Sequence, residues 1–306
     1  MRLELSYRAP YDWAAMLDFL AMRSIPGVER VEGDRYARTI ELDGAVGTIN
    51  VARASRADQL VATVKFPRAD ARPEIRARLR RIFDLDADPA AITARLGADP
   101  ALAPLVAARP GLRVPGAWDG FEVAVRAILG QQITVAGAIR LAGKLVAAHG
   151  TPLPPELAEP GLTHLFPRAE VIARANLAPL GMPGARARAL SAMAAAHVAD
   201  PTLFVGGDGL EVGIKRLVAL PGIGEWTACY IAMRALREPD AFLTGDIGLM
   251  RALADSDGRR PSKAELAARA EAWRPWRAYA ALHLWTADGA RRTKPEAFAA
   301  AAKPLV

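Results

Sequence analysis

The stretch 220-LPGIGEWTACY-230 decides how the second half of this chain is interpreted. Its PGIG core (residues 221–224) contains too much glycine for one continuous helix, yet helix-forming sequence flanks it on both sides. Glycine adopts positive φ readily and allows another backbone to approach closely. The pattern predicts a helix-hairpin-helix at about 211–236, with Ile223 filling the space between the two helices.

The backbone amides of this hairpin are candidates for contacts with phosphate. If the second helix begins near Glu225, the N–H groups of Gly222 and Gly224 point outward, and Thr227 adds a hydroxyl. A helix start with free amides binds phosphate without a charged side chain. A plain connection between two helices favours the same glycines and proline, so the spacing alone leaves both interpretations open.

A carboxylate and two aromatic side chains lie close to the hairpin in sequence. Asp246, in 243-LTGDIGLMRAL-253, stands at an apparent helix start twenty residues after Trp226. Aspartate there is a good N-cap, and position alone favours that role over catalysis. Trp226 and Tyr230 are four residues apart and share one helix face, which suits a buried core as well as a pocket wall.

The remaining pattern predicts an α+β N-terminal domain over residues 1–110 and a mainly helical region of two sub-lobes over 111–306. Strand-like runs include LELSY, RYARTIEL, GTINVARA and QLVATVKF, separated by turn signals such as Asp43-Gly44, which is typical of an antiparallel sheet. Beyond residue 111 strand signals almost vanish, and 119–150 is helical with an interruption near Gly130.

Composition narrows the class of protein. The chain has 306 residues, a net charge of +7 and a pI of about 9.9, which suits nucleic acid, a membrane surface or an ordinary arginine-rich protein. Its single cysteine, Cys229, excludes an internal disulfide and Cys-ligated metal, and the four histidines lack metal-ligand spacing. Without a secretory signal or a long apolar run, we expect a cytoplasmic protein.

Several stretches together resemble one family. The hairpin and LTGDIGLMRAL, with YRAPYDWAAMLDFLAMRSIPGVERV, RPGLRVPGAWDGFEVAVRAILGQQITVAGA, LGMPGARARAL and WRPWRAYAALHLW, resemble AlkA-type DNA-3-methyladenine glycosylase II of the helix-hairpin-helix DNA glycosylase superfamily. The resemblance covers nearly the whole chain. It implies a monomeric base-excision repair hydrolase of the nucleoid, whose partner is duplex DNA containing alkylated bases and not a membrane.

The same resemblance assigns the site. Asp246 matches the catalytic aspartate, which stabilises positive charge developing at C1′ and activates water. Gly245 stands where the family usually has a second acid. Trp226, Tyr230 and Trp285 match the base pocket, where a cationic purine between indole and phenol rings gains about 1–2 kcal/mol per ring.

Other positions match the family less closely. Gln131 and Gln132, in 128-ILGQQITV-135, match the wedge that fills the gap left by the extruded nucleotide, although some relatives have an apolar residue where Gln132 stands. Ile247 and Thr286 replace aromatic residues beside the site, which predicts a less aromatic pocket and a shifted substrate range. If 276–286 is one helix, Trp276 and Trp285 lie on opposite faces and only one of them can face the pocket, and the resemblance favours Trp285. Trp273 and Trp276 flank Pro275, so we expect them to be packing residues.

Reaction type and cofactors follow from the same match. Superfamily members that cut the strand carry a lysine where Trp226 stands, and no lysine occurs in 216–262. The resemblance therefore implies a monofunctional enzyme without lyase activity. It requires no cofactor for catalysis, and it implies a monovalent cation on the backbone carbonyls of Val218, Leu220 and Ile223.

The sequence leaves three alternatives open. The chain could be a glycosylase specialised for oxidised or deaminated bases, a non-catalytic helix-hairpin-helix DNA-binding protein, or an all-helical interaction protein. Only the first two need DNA, and only a glycosylase needs Asp246 and the aromatic residues. The pattern assigns no role to the N-terminal lobe.

Overall fold

An antiparallel sheet occupies the N-terminal lobe of the computed structural model, which describes the backbone of residues 1–293 and the side chains of residues 1–290. The end of the predicted helical region, 294–306, lies outside the described residues. The strands are β1 (Arg2–Ser6), β2 (Glu29–Glu32), β3 (Arg35–Leu42), β4 (Ala45–Arg53) and β5 (Gln59–Lys65), in the spatial order β1-β5-β4-β3-β2. Four of them agree with the predicted strands, whereas the short β2 gave no sequence signal.

Local sequence explains the register of this sheet. The β3–β4 hairpin turns at Asp43 and Gly44, both with positive φ, and it pairs Leu42 with Ala45. Asp-Gly is favoured in such two-residue turns because both positions tolerate that conformation. Strand β3 is buried along most of its length, as expected for a strand covered on both faces.

Two helices complete the first hydrophobic core. They are α1 (Trp13–Ala21) and α2 (Arg72–Ile82). Apolar side chains from the sheet, α1 and α2 form one cluster, which also contains Leu85 and Trp118. Burial of these side chains is what stabilises the lobe.

The rest of the described chain is mainly helical, which was predicted for the part beyond residue 111. It comprises α3 (Pro89–Leu96), α4 (Ala103–Ala108), α5 (Gly120–Leu129), α6 (Val135–His149), α7 (Ala169–Arg174), α8 (Gly184–Ala199), α9 (Leu210–Val218), α10 (Glu225–Ile231), α11 (Ile247–Ala252), α12 (Lys263–Ala270) and α13 (Arg277–Thr293). The expected interruption near Gly130 separates α5 from α6. Helices α3 and α4 pack in the second core, which also contains Ala15, Phe19, Ile25 and Val28 of the N-terminal lobe. The domain boundary near residue 110 stays a prediction.

A cluster of buried charges joins the two lobes. Arg126 of α5 bonds Glu29 of β2, and its Nε donates to Glu122 at 3.0 Å. Arg38 of β3 donates to Glu122 at 2.6 Å, and the Tyr36 hydroxyl donates to Glu29 at 2.6 Å. Burial alone raises the pKa of Glu29, but Arg126 and Arg38 outweigh it and lower that pKa to about 2. The cluster therefore stays ionised and fixes α5 to the sheet.

A buried histidine on α13 gives a testable pH dependence. Burial lowers the pKa of His283 from 6.5 to about 4. As the pH falls from 6.5 toward 4, the unfolded chain binds a proton that the folded chain does not, so stability is lost over this interval and is fully present above it. The difference reaches about 3 kcal/mol near pH 4.

Replacing His283 by glutamine is therefore expected to make the protein less sensitive to acid. Urea unfolding at about pH 7 and pH 4.5 measures the effect, and the wild-type protein should lose about 2–3 kcal/mol more than the variant between those pH values. His149→Gln, at a half-buried position, is the matched control. Equal losses in wild type and His283→Gln would contradict the expectation.

Among the helices that the structure describes, none is both long and apolar enough to span a bilayer.

Candidate functional site

The helix-hairpin-helix has the predicted form. Helices α9 and α10 are joined by residues 219–224, and α10 continues into a π-helical segment, Ala232–Leu236. Gly222 has φ +78°, and a Cβ there would lie 2.5 Å from the Cβ of Ala189 on α8. Ile223 is buried between the helices. A side chain larger than glycine at position 222 fits neither the conformation nor the space.

Asp246 is both a helix cap and the centre of a cluster of donors. Its Oδ1 accepts from the Leu249 amide at 3.0 Å, which caps α11, and from Trp285 Nε1 at 2.9 Å. Its Oδ2 accepts from Trp226 Nε1 at 3.0 Å. The carboxylate is half-buried, so it is fixed by three donors and still reachable from solvent. The capping role and a chemical role are compatible because different atoms serve them.

Trp226 and Tyr230 on α10 are not arranged as predicted, with space for a base between their rings. The rings of Trp226 and Tyr230 stack directly on each other, with centroids 5.5 Å apart and planes at 7°. A base cannot lie between rings at this separation, so the predicted sandwich is wrong for this conformation. Trp226 is 36% exposed and offers the accessible aromatic surface, whereas Tyr230 is half-buried beneath it.

Tyr230 lies in a strongly cationic environment. Arg234 donates to its hydroxyl at 2.8 Å and also to the carbonyls of Pro115 and Gly116. Burial raises the pKa of Tyr230, but the charges of Arg234 and Arg23 outweigh burial and hold it below the ordinary value of 10.0. Sequence reasoning missed Arg234, although its position four residues after Tyr230 on the same helix was an available signal.

The N-terminal lobe also contributes to this environment. The guanidinium of Arg23 lies 3.8 Å from the Phe19 ring centroid, and that of Arg234 lies 4.9 Å from the same ring. Arg126 donates to the Arg23 carbonyl at 2.7 Å. Arginines 23, 126 and 234 line a small cavity between the lobes. No periodic pattern in the sequence links Phe19 or Arg23 to the hairpin, so these two residues could not be found from sequence.

An ion pair holds the helix of Asp246 against the helix of Trp285. Arg251 on α11 donates to Asp288 on α13 at 2.9 and 2.7 Å, one turn from Trp285. Trp273 and Trp276 are packing residues, as predicted: Trp273 is fully buried, and Trp276 packs edge-on against Tyr279.

The two positions that depart from the family pattern leave the site open. Ile247, beside Asp246, is 59% exposed. Thr286 donates its hydroxyl to the Leu282 carbonyl of its own helix, so it does not reach the carboxylate. Cys229 is buried, and burial raises the pKa of its thiol to about 11, so it is a packing residue and not a reactive thiolate.

Gln131 and Gln132 have opposite environments. Gln131 Nε2 donates to the Gly222 carbonyl at 2.9 Å and to the Thr227 hydroxyl at 3.1 Å. Gln132 is exposed and has φ +56°. Thr227 is only 4% exposed, so the expectation that its hydroxyl faces a phosphate is wrong: it faces Gln131. Gly222 and Gly224 are exposed, as a backbone contact requires.

The monovalent cation on the hairpin carbonyls stays a prediction. The Leu220 carbonyl already accepts from the Ile223 amide at 3.2 Å, which leaves its second lone pair for an ion. Val218 and Ile223 carry the other two predicted carbonyls. Among the residues that the structure describes, no group of three His, Cys, Asp or Glu side chains is arranged to hold a metal.

Fold and site together define a class: a helix-hairpin-helix protein in which an aspartate following the hairpin is held by indole donors. Family models agree along the chain. Residues 2–119 match the AlkA N-terminal domain, and residues 125–278 match the HhH-GPD superfamily base excision DNA repair protein model. The chain belongs to the HhH-GPD superfamily, in the branch that carries an AlkA N-terminal domain.

Individual relatives support the same membership. DNA-3-methyladenine glycosylase 2 of Escherichia coli is 38% identical over 295 residues, covering 93% of this chain and 97% of that protein. "Probable bifunctional transcriptional activator/DNA repair enzyme AlkA" of Mycobacterium tuberculosis is 40% identical over 285 residues, and this chain spans 56% of its length. The 3-methyladenine DNA-glycosylase structure from Archaeoglobus fulgidus shares the fold, with a TM-score of 0.81, 23% identity and coverage of 94% and 98% of the two chains.

Proposed function

We propose that this chain is a monofunctional DNA glycosylase that extrudes alkylated purines of the 3-methyladenine type from duplex DNA and hydrolyses their N-glycosidic bond. The observation that carries the proposal is the Asp246 carboxylate, which is held by Trp226, Trp285 and the Leu249 amide beside exposed aromatic surface. The name of the E. coli relative points to the same lesion class.

Asp246 has the chemistry that this reaction needs. An alkylated purine carries positive charge and leaves readily, so the glycosidic bond breaks with oxocarbenium character at C1′. A fixed carboxylate stabilises that charge without reorganising, and it can accept the proton of the attacking water. Oδ2 accepts one hydrogen bond, from the indole N–H of Trp226, and its remaining lone pair would face the sugar.

Selection of the base would depend on Trp226. Its exposed indole would stabilise a cationic purine through cation–π and stacking interactions. A neutral purine would gain less from the same contact. For a base to lie between indole and phenol rings, Trp226 would have to move away from Tyr230. Stacking on the outer face of Trp226 needs no such movement.

Hydrolysis without strand cleavage is supported by the tryptophan at position 226 and by the lack of any lysine in residues 216–262. Lys263 of α12 binds Glu225, the residue before Trp226 in sequence, through its ammonium at 2.7 Å. The hydrogen bond and charge of Glu225 raise the pKa of Lys263. A protonated amine cannot attack the sugar, so a Schiff base is disfavoured.

DNA would be gripped through the exposed backbone of Gly222 and Gly224 and through the basic surface of the chain, which carries a net charge of +7. A monovalent cation on the carbonyls of Val218, Leu220 and Ile223 would add a further link to phosphate. With such a substrate the enzyme would act at the cytoplasmic nucleoid, and we propose that it acts as a monomer.

The test is an assay of bases released from DNA methylated with dimethyl sulfate, with the strands examined in parallel on a denaturing gel. Release of methylated purines with intact strands is the expected result. Release of hypoxanthine or an oxidised base instead, from a panel of lesion-containing oligonucleotides, would favour the specialised glycosylase. No release from any substrate, with salt-sensitive DNA binding, would favour a non-catalytic DNA-binding protein.

A further inference from the structure

Three elements converge on the loop between α5 and α6, residues 130–134. They are the end of α5, the start of α8 and the connection of the hairpin. We propose that Gln131 is a positioning residue that holds this loop on the hairpin, so that Gln132 alone enters the duplex. The inference rests on the proposed function. The sequence assigns both Gln131 and Gln132 to the wedge, whereas here Gln131 positions the loop and Gln132 enters the duplex.

Gln131 is held from three directions. Its amide side chain donates to the Gly222 carbonyl at 2.9 Å and to the Thr227 hydroxyl at 3.1 Å. Its backbone carbonyl accepts from Arg186 of α8, and its backbone amide donates to the Ile128 carbonyl at 3.3 Å. A side chain with these partners cannot insert into a base stack unless both hairpin bonds break.

The partner surface on the hairpin is itself rigid. Gly222 packs so tightly on Ala189 that no Cβ fits between them, and Ala189 lies one turn from Arg186 on α8. Thr227 is buried and cannot turn outward. Gln131 therefore contacts both the hairpin and α8, and these two elements together fix the position of the loop.

The helix that precedes the loop is anchored to the N-terminal lobe. Helix α5 ends at Leu129, directly before the loop, and Glu122 and Arg126 of that helix bond Arg38 and Glu29 of the sheet. These contacts give the N-terminal lobe a function that the sequence did not suggest. It fixes the helix from which the loop extends, while Gln131 fixes the loop to the hairpin.

Gln132 is the residue that this arrangement leaves free. Its φ of +56° turns the backbone sharply after Gln131, and its side chain is exposed. A side chain that fills a gap in DNA acts best when its backbone is already ordered, because ordering a flexible loop on binding opposes association. The bonds of Gln131 would provide that order before DNA arrives.

A double-mutant cycle separates positioning from insertion. Gln131→Met and Gln132→Ala are made singly and together, and single-turnover base release is measured on a methylated duplex. Each single variant is expected to be slower by about tenfold, since each loses a role worth one or two hydrogen bonds. If Gln131 acts through Gln132, the double variant is no slower than Gln132→Ala. Additive losses, or a Gln131→Met variant as fast as wild type, would overturn the inference.

A second substitution tests the chemistry of the bond. Gln131→Glu keeps the shape but replaces the Nε2 donor by an oxygen facing the Gly222 carbonyl, so its loss should equal or exceed that of Gln131→Met. A Gln131→Glu variant that retains wild-type rates would contradict the proposed contact. General destabilisation is recognised by additivity in the cycle and by a lower Tm. If the wild-type protein releases no base at all, the proposed function fails, which is a different outcome from a null effect at Gln131.

Discussion

Replacing Asp246 by asparagine is expected to slow base release by about a thousandfold, the scale on which a preorganised electrostatic group acts in a transition state. The change removes the negative charge that would stabilise the sugar cation and accept a proton from water. Binding of the duplex should be retained, because the predicted backbone contacts lie in the hairpin. Single-turnover rates and duplex affinity, measured on the same preparation, separate the two effects.

The fold should survive this substitution with a small loss. Asparagine is also a good N-cap, so its oxygen can accept from Leu249 and Trp285, but its NH₂ group then faces the Trp226 N–H. Losing that bond costs about 1 kcal/mol. Asp34→Asn, the same change at an exposed turn, is the matched control. An Asp246→Asn variant within tenfold of wild type would exclude the carboxylate from the reaction.

Replacing Glu122 by glutamine is expected to cost the most stability, about 3–5 kcal/mol. Glu122 accepts from Arg38 and Arg126, and Arg38 is almost fully buried. Neutralising the acid leaves excess positive charge inside the protein, where water cannot solvate it. Urea unfolding measures the loss directly.

The control for this second substitution is Glu74→Gln. Glu74 makes an exposed pair with Arg78 at 2.7 Å on α2, and such pairs contribute less than about 1 kcal/mol. Similar losses for the two variants would show that burial adds nothing at Glu122. They would also weaken the function assigned to the N-terminal lobe, since that cluster is what joins α5 to the sheet.

Local pattern predicted most of the elements correctly because their signals are short-range. The run RYARTIEL became β3, with the Asp43-Gly44 turn after it, and the interruption near Gly130 separates α5 from α6. Strand β2 and helices α3 and α4 were missed because each is short and depends on burial against other elements. Their sequence carries too few residues to establish a period.

Only part of the site was predicted, because short-range signals identify residues but not their contacts with distant parts of the chain. Its residue types came from motif resemblance, and their positions beside one another could be tested only by packing. Trp226 and Trp285 donate to the same carboxylate although they are 20 and 39 residues from it in sequence. The direct stack of Trp226 on Tyr230 and the buried hydroxyl of Thr227 depend on side-chain orientation, which spacing along a helix does not determine.

The amino-acid sequence by itself determined the helix-hairpin-helix, most of the strands and helices, and the aspartate at the start of α11, because turn chemistry, periodicity and helix capping act over a few neighbouring residues. Only the tertiary structure decided that Asp246 is held by two indoles, that Gln131 and Gln132 face opposite surroundings, and that the N-terminal lobe anchors α5. Those arrangements depend on contacts between residues distant in sequence, whose free energy arises only when burial brings them together.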